Sequence, residues 1–338
     1  MDNQHLLPPP AQMMQMITGF WTSCCIYTAA KLNIADLLND KTQTAEHLAE
    51  ATHTHAPSLY RLLRALASVG IFSENEKGEF SNTVLSSTLR EDVPGSMKAM
   101  AIAQLGDHYN AWGNLTYSVK TGATAFDFVE KMPIWKYYET HPEEGSNFMK
   151  AMTGLTGAVI VNVLPAYDFS SFKSIVDIGG GNGALMMGVL NVAPNAKGIV
   201  FDEAYVVHET EKLIAAKELN NRCSTVEGSF FEFIPKGADC YLMKHILHDW
   251  DDDKSLQILR NCCAAMNPGS RLLILESVIP PANIPHPGKF MDINMLTMTG
   301  GKERTEPEFK QLVELAGLKL NRVIPTHSPM FSILEAIK

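Results

Sequence analysis

Along the first hundred residues the apolar positions recur every three or four residues, the spacing of helices that bury one face. A segment from about Ala11 to Leu38 reads as helix and ends in the turn Leu38–Asp40. Thr44–Ala51 predicts a short helix that Thr42 or Thr44 can cap. Pro57 stands early in the next helix, where its missing N–H costs little, and Leu59, Leu62, Leu63 and Leu66 share one side of it. Gly70 stops that helix. Ile71–Phe72 and Glu79–Phe80 flank a polar stretch and predict a small hairpin. Helix, helix, hairpin is the order of a winged helix. From about Met97 to Asp168 the pattern stays helical and is rich in Met, aromatic and His residues, among them His108, Trp112, Trp135, Phe148, Met149 and Met152.

Beyond Asp168 the pattern changes to short continuous apolar runs. Ser174–Ile178, Gly198–Asp202, Cys223–Glu227, Asp239–Met243 and Arg271–Glu276 predict strands. Ala184–Val192 and Lys254–Met266 predict helices between them, the latter with Leu256, Leu259, Cys263 and Met266 on one face. Such strands separated by helices imply a parallel sheet covered on both faces. Leu318–Val323 and Phe331–Ala336 predict a last strand pair. Only about seven residues join them, too few for a crossover helix, so this pair is antiparallel. The expected class is α/β: a Rossmann-like doubly wound sheet with an antiparallel last strand pair, preceded by an α-helical winged-helix domain. Boundaries are expected at 1–100, 101–160 (a helical linker contributing to a substrate pocket) and 161–338.

Composition narrows the partners. The chain has 338 residues, 46% apolar and 19% charged, enough to bury a sizeable core. Lys plus Arg is 28 and Asp plus Glu is 37, a net charge of −9 that repels a phosphate backbone. Glu74, Glu76 and Glu79 fall in the wing, so Arg61 and Arg64 read as a solvated face and no nucleic acid is expected. No uninterrupted apolar run approaches the ~20 residues of a bilayer span, so no membrane is expected. The N-terminus has no basic region of a secretory signal. Cys24, Cys25, Cys223, Cys240, Cys262 and Cys263 form no C-x-x-C, and two pairs are adjacent. They read as reduced, mostly buried thiols of a cytoplasmic protein.

In an open parallel sheet, ligands bind beyond the carboxyl ends of the strands. Asp177 and Gly179, Asp202, Ser229, Lys244 with His245, His248 and Asp249, and Glu276 all fall there, so one cleft can collect them. Asp177–Gly183 reads D-x-G-x-G-x-G, whose glycines let the backbone turn tightly and approach a ligand. Asp202, about twenty residues on, can take two ribose hydroxyls. Gly179-x-Gly181-x-x-Ala184 also fits a relaxed dinucleotide fingerprint. Asp177, placed to meet an ammonium group, and the antiparallel last pair favour S-adenosylmethionine over a nicotinamide cofactor. Asp251–Asp253 read as helix caps rather than metal ligands, and no metal is expected. His248, on a loop at the sheet edge, is the general-base candidate, and His245 is assigned a wall of the site. Glu276 ends a buried strand and needs a donor, for which His248 is the candidate. Glu303, just before the Thr305–Glu308 capping box, is placed for a second contact to His248. Arg304 reads as structural.

At these residues the sequence resembles the small-molecule S-adenosylmethionine-dependent O-methyltransferases of plant caffeic-acid type and their bacterial relatives. The resemblance covers nearly the whole chain and is strongest over Ile175–Gly183, Lys244–Asp252, Leu273–Glu276 and Gly300–Thr305. K-x-x-x-H-D-W together with G-G-K-E-R-T is the specific part. The resemblance implies a winged-helix module that builds an intertwined homodimer, and a Rossmann-like cofactor domain. By motif position it implies His248 as base between Glu276 and Glu303, with Gly179, Asp202 and Lys244 at the cofactor. Asp177, Gly181, Ser229 and Phe230 complete the expected cofactor set. Two positions depart from the family pattern: Asp202-Glu203-Ala204 replaces Asp-Leu-Pro, and Gly228-Ser229-Phe230 replaces Gly-Asp-hydrophobic, which weakens the contact expected at adenine.

The implied reaction is methyl transfer to a hydroxyl of a small aromatic or polyketide-like acceptor in secondary metabolism. His108, Trp112, Met149, Met152, His245, Met291, Asn294 and Met295 are the expected acceptor pocket, an apolar slot with a few polar fixtures. Three alternatives stay open: a family member that keeps the cofactor for hydroxylation, decarboxylation or a pericyclic step; a ligand-sensing winged-helix regulator; and a nicotinamide oxidoreductase.

Overall fold

The leucine periodicity near the N-terminus becomes the core of a winged-helix unit. Leu59, Leu63 and Leu66 turn inward from helix Ala56–Ser68 and join Ile34, Leu48, Phe72 and Phe80, while Leu62 is half-buried beside them. The structure, a computed structural model, describes residues 7–328 and 330–338. The extreme N-terminus, on which the expectation of no secretory signal partly rests, lies outside the described residues. Thr44 caps helix Ala45–Thr52, its hydroxyl accepting from the His47 amide at 3.4 Å. The hairpin forms as β2 (Phe72–Glu74) and β3 (Glu79–Asn82). A two-residue strand the sequence did not suggest, β1 (Gln43–Thr44), pairs antiparallel with the other side of β3.

The first helix is Pro9–Lys31 and not a continuous segment to Leu38. Asn33 adopts a left-handed φ of 56°, and Ile34–Leu37 restarts as a single turn. Met13, Met14, Met16, Ile17, Phe20 and Trp21 of this helix are exposed. Lys98, almost fully buried, pairs with Asp36 at 2.8 Å and Glu91 at 3.0 Å, and Lys150 reaches Glu91 at 2.9 Å.

Seven strands form the second sheet: β4 (Ser174–Ile178), β5 (Lys197–Asp202), β6 (Cys223–Glu227), β7 (Cys240–Lys244), β8 (Arg271–Glu276), β9 (Lys319–Pro325) and β10 (Ser332–Ile337). Their order is β6-β5-β4-β7-β8-β10-β9. The first five run parallel, and β10 is antiparallel to both β8 and β9. Alternate strand residues face opposite sides. Val176, Ile178, Met243 and Ile274 pack with Ile258 and Leu259 of helix Asp252–Ala265 and with Phe309 and Val313 of helix Glu306–Leu315. Ile175, Val200, Leu242 and Leu273 pack with Leu185, Met186, Val189 and Leu190 of helix Ala184–Val192. Helix Asp252–Ala265 buries Ser255, Ile258, Leu259, Cys262 and Ala265, so Leu256 and Cys263 of the expected stripe are only partly covered. The apolar face is wider than one stripe, and its centre lies between the two.

The chain divides into two compact units. One gathers Tyr109 and the residues before it with Pro142–Gly154; the other gathers Asn110–His141 with Leu155–Lys338. Residues 101–160 are therefore shared between them. The stretch Pro142–Ala166 is long and apolar enough, by length and composition, to cross a membrane, although Glu143, Glu144 and Lys150 interrupt it. All six cysteines are free thiols, with Cys223, Cys240 and Cys262 buried.

Candidate active site

The carboxyl edge of β4 turns sharply through three glycines with positive φ: Gly179 at 64°, Gly181 at 57° and Gly183 at 74°. A β-carbon at Gly179 would collide with the Ile246 side chain and lie 3.7 Å from Phe230, so the turn packs against the β7 exit. Asp202, ending β5, braces the turn by accepting from the Gly181 amide at 2.8 Å, and also accepts from the Glu203 amide at 2.8 Å. Asp177 sits beneath it, 1% exposed, and its Oδ2 has no hydrogen-bond partner. Burial pushes its carboxyl up to about 7, against the pull of Lys244. Burial lowers the Lys244 ammonium in turn, against Asp177, Glu276 and Asp249.

Phe230 follows β6 on a loop pinned to helix Asp252–Ala265: Asn261 donates to the Phe230 carbonyl and Gln257 to that of Phe231, each at 2.9 Å. Phe230, Phe231 and Trp250 form an edge-on aromatic cluster with ring centroids 4.8–6.2 Å apart. Ser229 starts this loop, its carbonyl accepting from the amides of Glu232 and Phe233. An orphaned buried carboxylate, a second carboxylate at the sheet edge and an aromatic cluster beside a glycine turn fit a ligand that offers an ammonium, vicinal hydroxyls and a flat ring. S-adenosylmethionine has all three.

His248 lies in the turn Leu247–Asp249 just past β7 and is 6% exposed. Its Nδ1 is 2.8 Å from Glu303 Oε1 and 3.8 Å from Glu276 Oε2; its Nε2 is 3.7 Å from Asp249 Oδ1. The expectation that His248 supplies the donor for Glu276 needs correction. Glu276 reaches across the β7 exit, and its Oε1 accepts from the amides of Ile246 and Leu247 at 3.0 Å each. Glu303, expected in second place, makes the direct bond to His248. The remaining oxygens, Glu276 Oε2 and Glu303 Oε2, have no hydrogen-bond partner. Burial alone would lower the His248 imidazole. Glu276, Asp249 and Glu303 outweigh it and hold the group up at about 10. Burial raises Glu276 to about 7 and Asp249 to about 6. The three donor atoms of His248, Glu276 and Glu303 lie within 4.8 Å of one another, as a metal-ligand set would, and the His248–Glu303 hydrogen bond already joins two of them.

The Gly300–Thr305 segment explains why His248 stays put. A β-carbon at Gly301 would overlap the His248 carbonyl oxygen and the Asp249 backbone, so glycine lets two backbones touch. Lys302 pairs with Asp252 at 2.8 Å. The Glu303 amide donates to Asp292 Oδ1 at 2.9 Å. Arg304, fully buried, donates to the carbonyls of Leu247 and Trp250, to Asp252 and to Ser255, all within 3.1 Å. Thr305 and Glu308 close the capping box. Gly301 and Asp292 are missed by reasoning from sequence. Gly301 shows only as an unexplained motif glycine, and Asp292 gives no local signal.

The expected acceptor residues divide between the units. Trp112 Nε1 donates to Asn294 Oδ1 at 2.9 Å, and Asn294 Nδ2 lies 3.8 Å from Met291 Sδ. Met291, Asn294 and Met295 share helix Gly288–Met298 with Asp292, so the helix that braces Glu303 also carries them. His245 stands at the β7 exit, its ring 4.5 Å from that of His248. His108, Met149 and Met152 belong to the other unit. His108 is buried there, which pushes its imidazole down to about 4.

A seven-stranded sheet with an antiparallel ending and a glycine turn at its carboxyl edge is the fold of a class of methyltransferases. Sequence comparison agrees: residues 112–319 match the O-methyltransferase domain and residues 14–92 the O-methyltransferase dimerisation domain. The chain belongs to this O-methyltransferase family. It is 43% identical to the phenazine O-methyltransferase of Lysobacter antibioticus over 98% of this chain and 96% of that one. The crystal structure of LaPhzM superposes with a TM-score of 0.95 at 42% identity, covering 98% of this chain and 99% of that one. Human N-acetylserotonin methyltransferase, solved with S-adenosylmethionine bound, gives a TM-score of 0.91 at 26% identity over 100% of this chain and 99% of that one.

Proposed function

We propose that this chain transfers a methyl group from S-adenosylmethionine to a hydroxyl of a small aromatic acceptor, with His248 as general base. The observation that carries the reading is the buried His248–Glu303 pair at 2.8 Å, with Glu276 behind it, at the same sheet edge as the glycine turn. Asp177 would hold the cofactor's ammonium, Asp202 its ribose hydroxyls, and Phe230 with Ser229 would border its adenine. The bound cofactor supplies a methyl group on a sulfonium that needs no activation.

The acceptor does need activation, because a phenol of pKa ~10 is a poor nucleophile while protonated. Glu303 occupies Nδ1, which leaves Nε2 to take the acceptor's proton as the oxygen attacks. Glu276 and Glu303 stabilise the imidazolium that results, as the carboxylate of a catalytic triad does. An imidazole held near 10 matches the proton affinity of a phenol. Positive charge arriving in the cleft disfavours the imidazolium and returns His248 toward its neutral form. Oxygen is the acceptor atom in this reading because a base is needed for a hydroxyl; a neutral amine attacks without one. The exposed apolar side of helix Pro9–Lys31, inside the matched dimerisation domain, supports a homodimer, and six free thiols fit the cytoplasm.

A product-resolved screen of hydroxyaromatics with S-adenosylmethionine tests the reading. An O-methyl ether is expected. Cofactor binding with no methylated product, or a product methylated only on nitrogen, contradicts it.

A further inference from the structure

Among the described residues, seven other than glycine hold a positive φ: Asn33, Asp40, His53, Lys131, Glu218, His245 and Ala282. Six of them are exposed and sit at helix ends or in turns, where a left-handed residue is ordinary. His245 is the exception. It is half-buried, it directly follows β7 at the carboxyl edge of the sheet, and its φ is 53°. An L-residue held this way is strained, and such strain persists where the surroundings over-determine it, most often at functional sites.

The surroundings are specific. The His245 amide donates to the Leu275 carbonyl at 3.2 Å, which fixes the backbone to β8. Its ring stacks on Phe331 with centroids 4.9 Å apart at 24°, and stands 4.5 Å from the His248 ring at 47°. Neither ring nitrogen bonds to a described residue. Burial, with His248 and Lys244 alongside, holds this imidazole well below its ordinary range. It is therefore neutral and offers one donor and one acceptor.

A neutral hydrogen-bonding edge thus stands beside His248, ring to ring at 4.5 Å, at the same carboxyl edge of the sheet. We propose that His245 selects the acceptor: it hydrogen-bonds a nitrogen or hydroxyl at the ring position ortho or peri to the hydroxyl that is methylated, so the preferred substrates are aromatics that carry such a neighbour. The proposal rests on the methyl-transfer reading above.

The test uses two matched pairs of acceptors, 8-hydroxyquinoline against 1-naphthol and catechol against phenol, with the full-length chain, S-adenosylmethionine and EDTA. The variants are His245→Phe, which keeps a ring against Phe331 and removes both nitrogens, and His245→Asn, which tolerates left-handed backbone and keeps a donor and an acceptor. Calorimetry with S-adenosylhomocysteine establishes that each variant binds cofactor. In the parent, kcat/KM is expected to favour the member with the polar neighbour by about tenfold, the value of one hydrogen bond. In His245→Phe that ratio is expected to collapse toward one, with His245→Asn between; should His245→Phe not fold, the ratio in His245→Asn decides. A parent without the preference, or variants that keep it in full, overturns the proposal. A purely structural role would lower both members alike and leave the ratio unmoved, which also overturns it. A parent that binds cofactor yet methylates none of the four contradicts the methyl-transfer reading instead, and is told apart by its zero rate.

Discussion

Replacing Gly301 by alanine adds one methyl group at the point where the Gly300–Thr305 segment touches the backbone of His248 and Asp249. That β-carbon would overlap the His248 carbonyl and the Asp249 backbone, and would lie 2.6 Å from the Trp250 nitrogen. All three neighbours are main-chain atoms, so no rotamer change relieves the contact. Ordinary contact is ~3.5 Å, and the two backbones must part by about 1–1.5 Å. Glu303 is two residues from Gly301 and bonds His248 at 2.8 Å. A displacement of that size along the bond stretches it to about 4 Å, beyond hydrogen-bond range. Misplacement of a catalytic group by about 1 Å costs on the order of 10²-fold in rate. Gly301→Ala is therefore expected to lower kcat ~10²-fold in single-turnover methyl transfer. Affinity for S-adenosylhomocysteine should change little, because Asp177, the glycine turn and Asp202 are carried on β4 and β5. A folded Gly301→Ala protein working at the parental rate would refute the claim that this segment positions His248.

Arg304→Lys is expected to cost ~2–4 kcal/mol of stability, because a lysine cannot satisfy the buried carbonyls of Leu247 and Trp250 together with Asp252 and Ser255; an unchanged urea midpoint would contradict this. Glu303→Gln removes a charged hydrogen bond worth ~1.5–3 kcal/mol, so the His248 titration, near 10 in the parent, should fall by about 1–2 pH units in an NMR titration of the cofactor-free chain. Stability of the cofactor-free chain should fall as pH rises. Asp177 and Glu276 (each about 7) and His248 (about 10) hold their protons more tightly folded than unfolded. Their stabilisation is complete below the unfolded values and is lost as pH climbs through the folded ones. A melting temperature that rises from pH 5 to pH 9 would show that other groups dominate.

Strands β4, β6 and β8 match the sequence expectation at both ends; β4 and β8 are buried on both faces, which leaves little choice of boundary, while β6 is the half-exposed strand at the sheet edge. The antiparallel ending followed from loop length alone. The break at Asn33 was not legible, since an apolar pattern continues across it and only backbone geometry stops the helix. Nor was β1, whose two residues exist as a strand only because β3, 35 or more residues away, offers an open edge. In the site, the residue types past β7 and at the end of β8 point to His248 and Glu276, and the position just before the capping box points to Glu303. Their ranking is not legible, because it depends on a contact spanning 55 positions and on two backbone amides that take Glu276 first. Asp292 was invisible for the same reason: it acts on the Glu303 amide from a helix whose sequence reads as apolar wall.

The central claim is that His248 takes the acceptor's proton. Single-turnover methyl transfer by His248→Ala, on an acceptor the parent methylates and at saturating S-adenosylmethionine, tests it most directly. General-base assistance is worth ~10²–10⁴-fold, so the rate should fall by about that factor while S-adenosylhomocysteine binds as in the parent. A His248→Ala protein that folds, binds cofactor and transfers methyl at the parental rate would contradict the account.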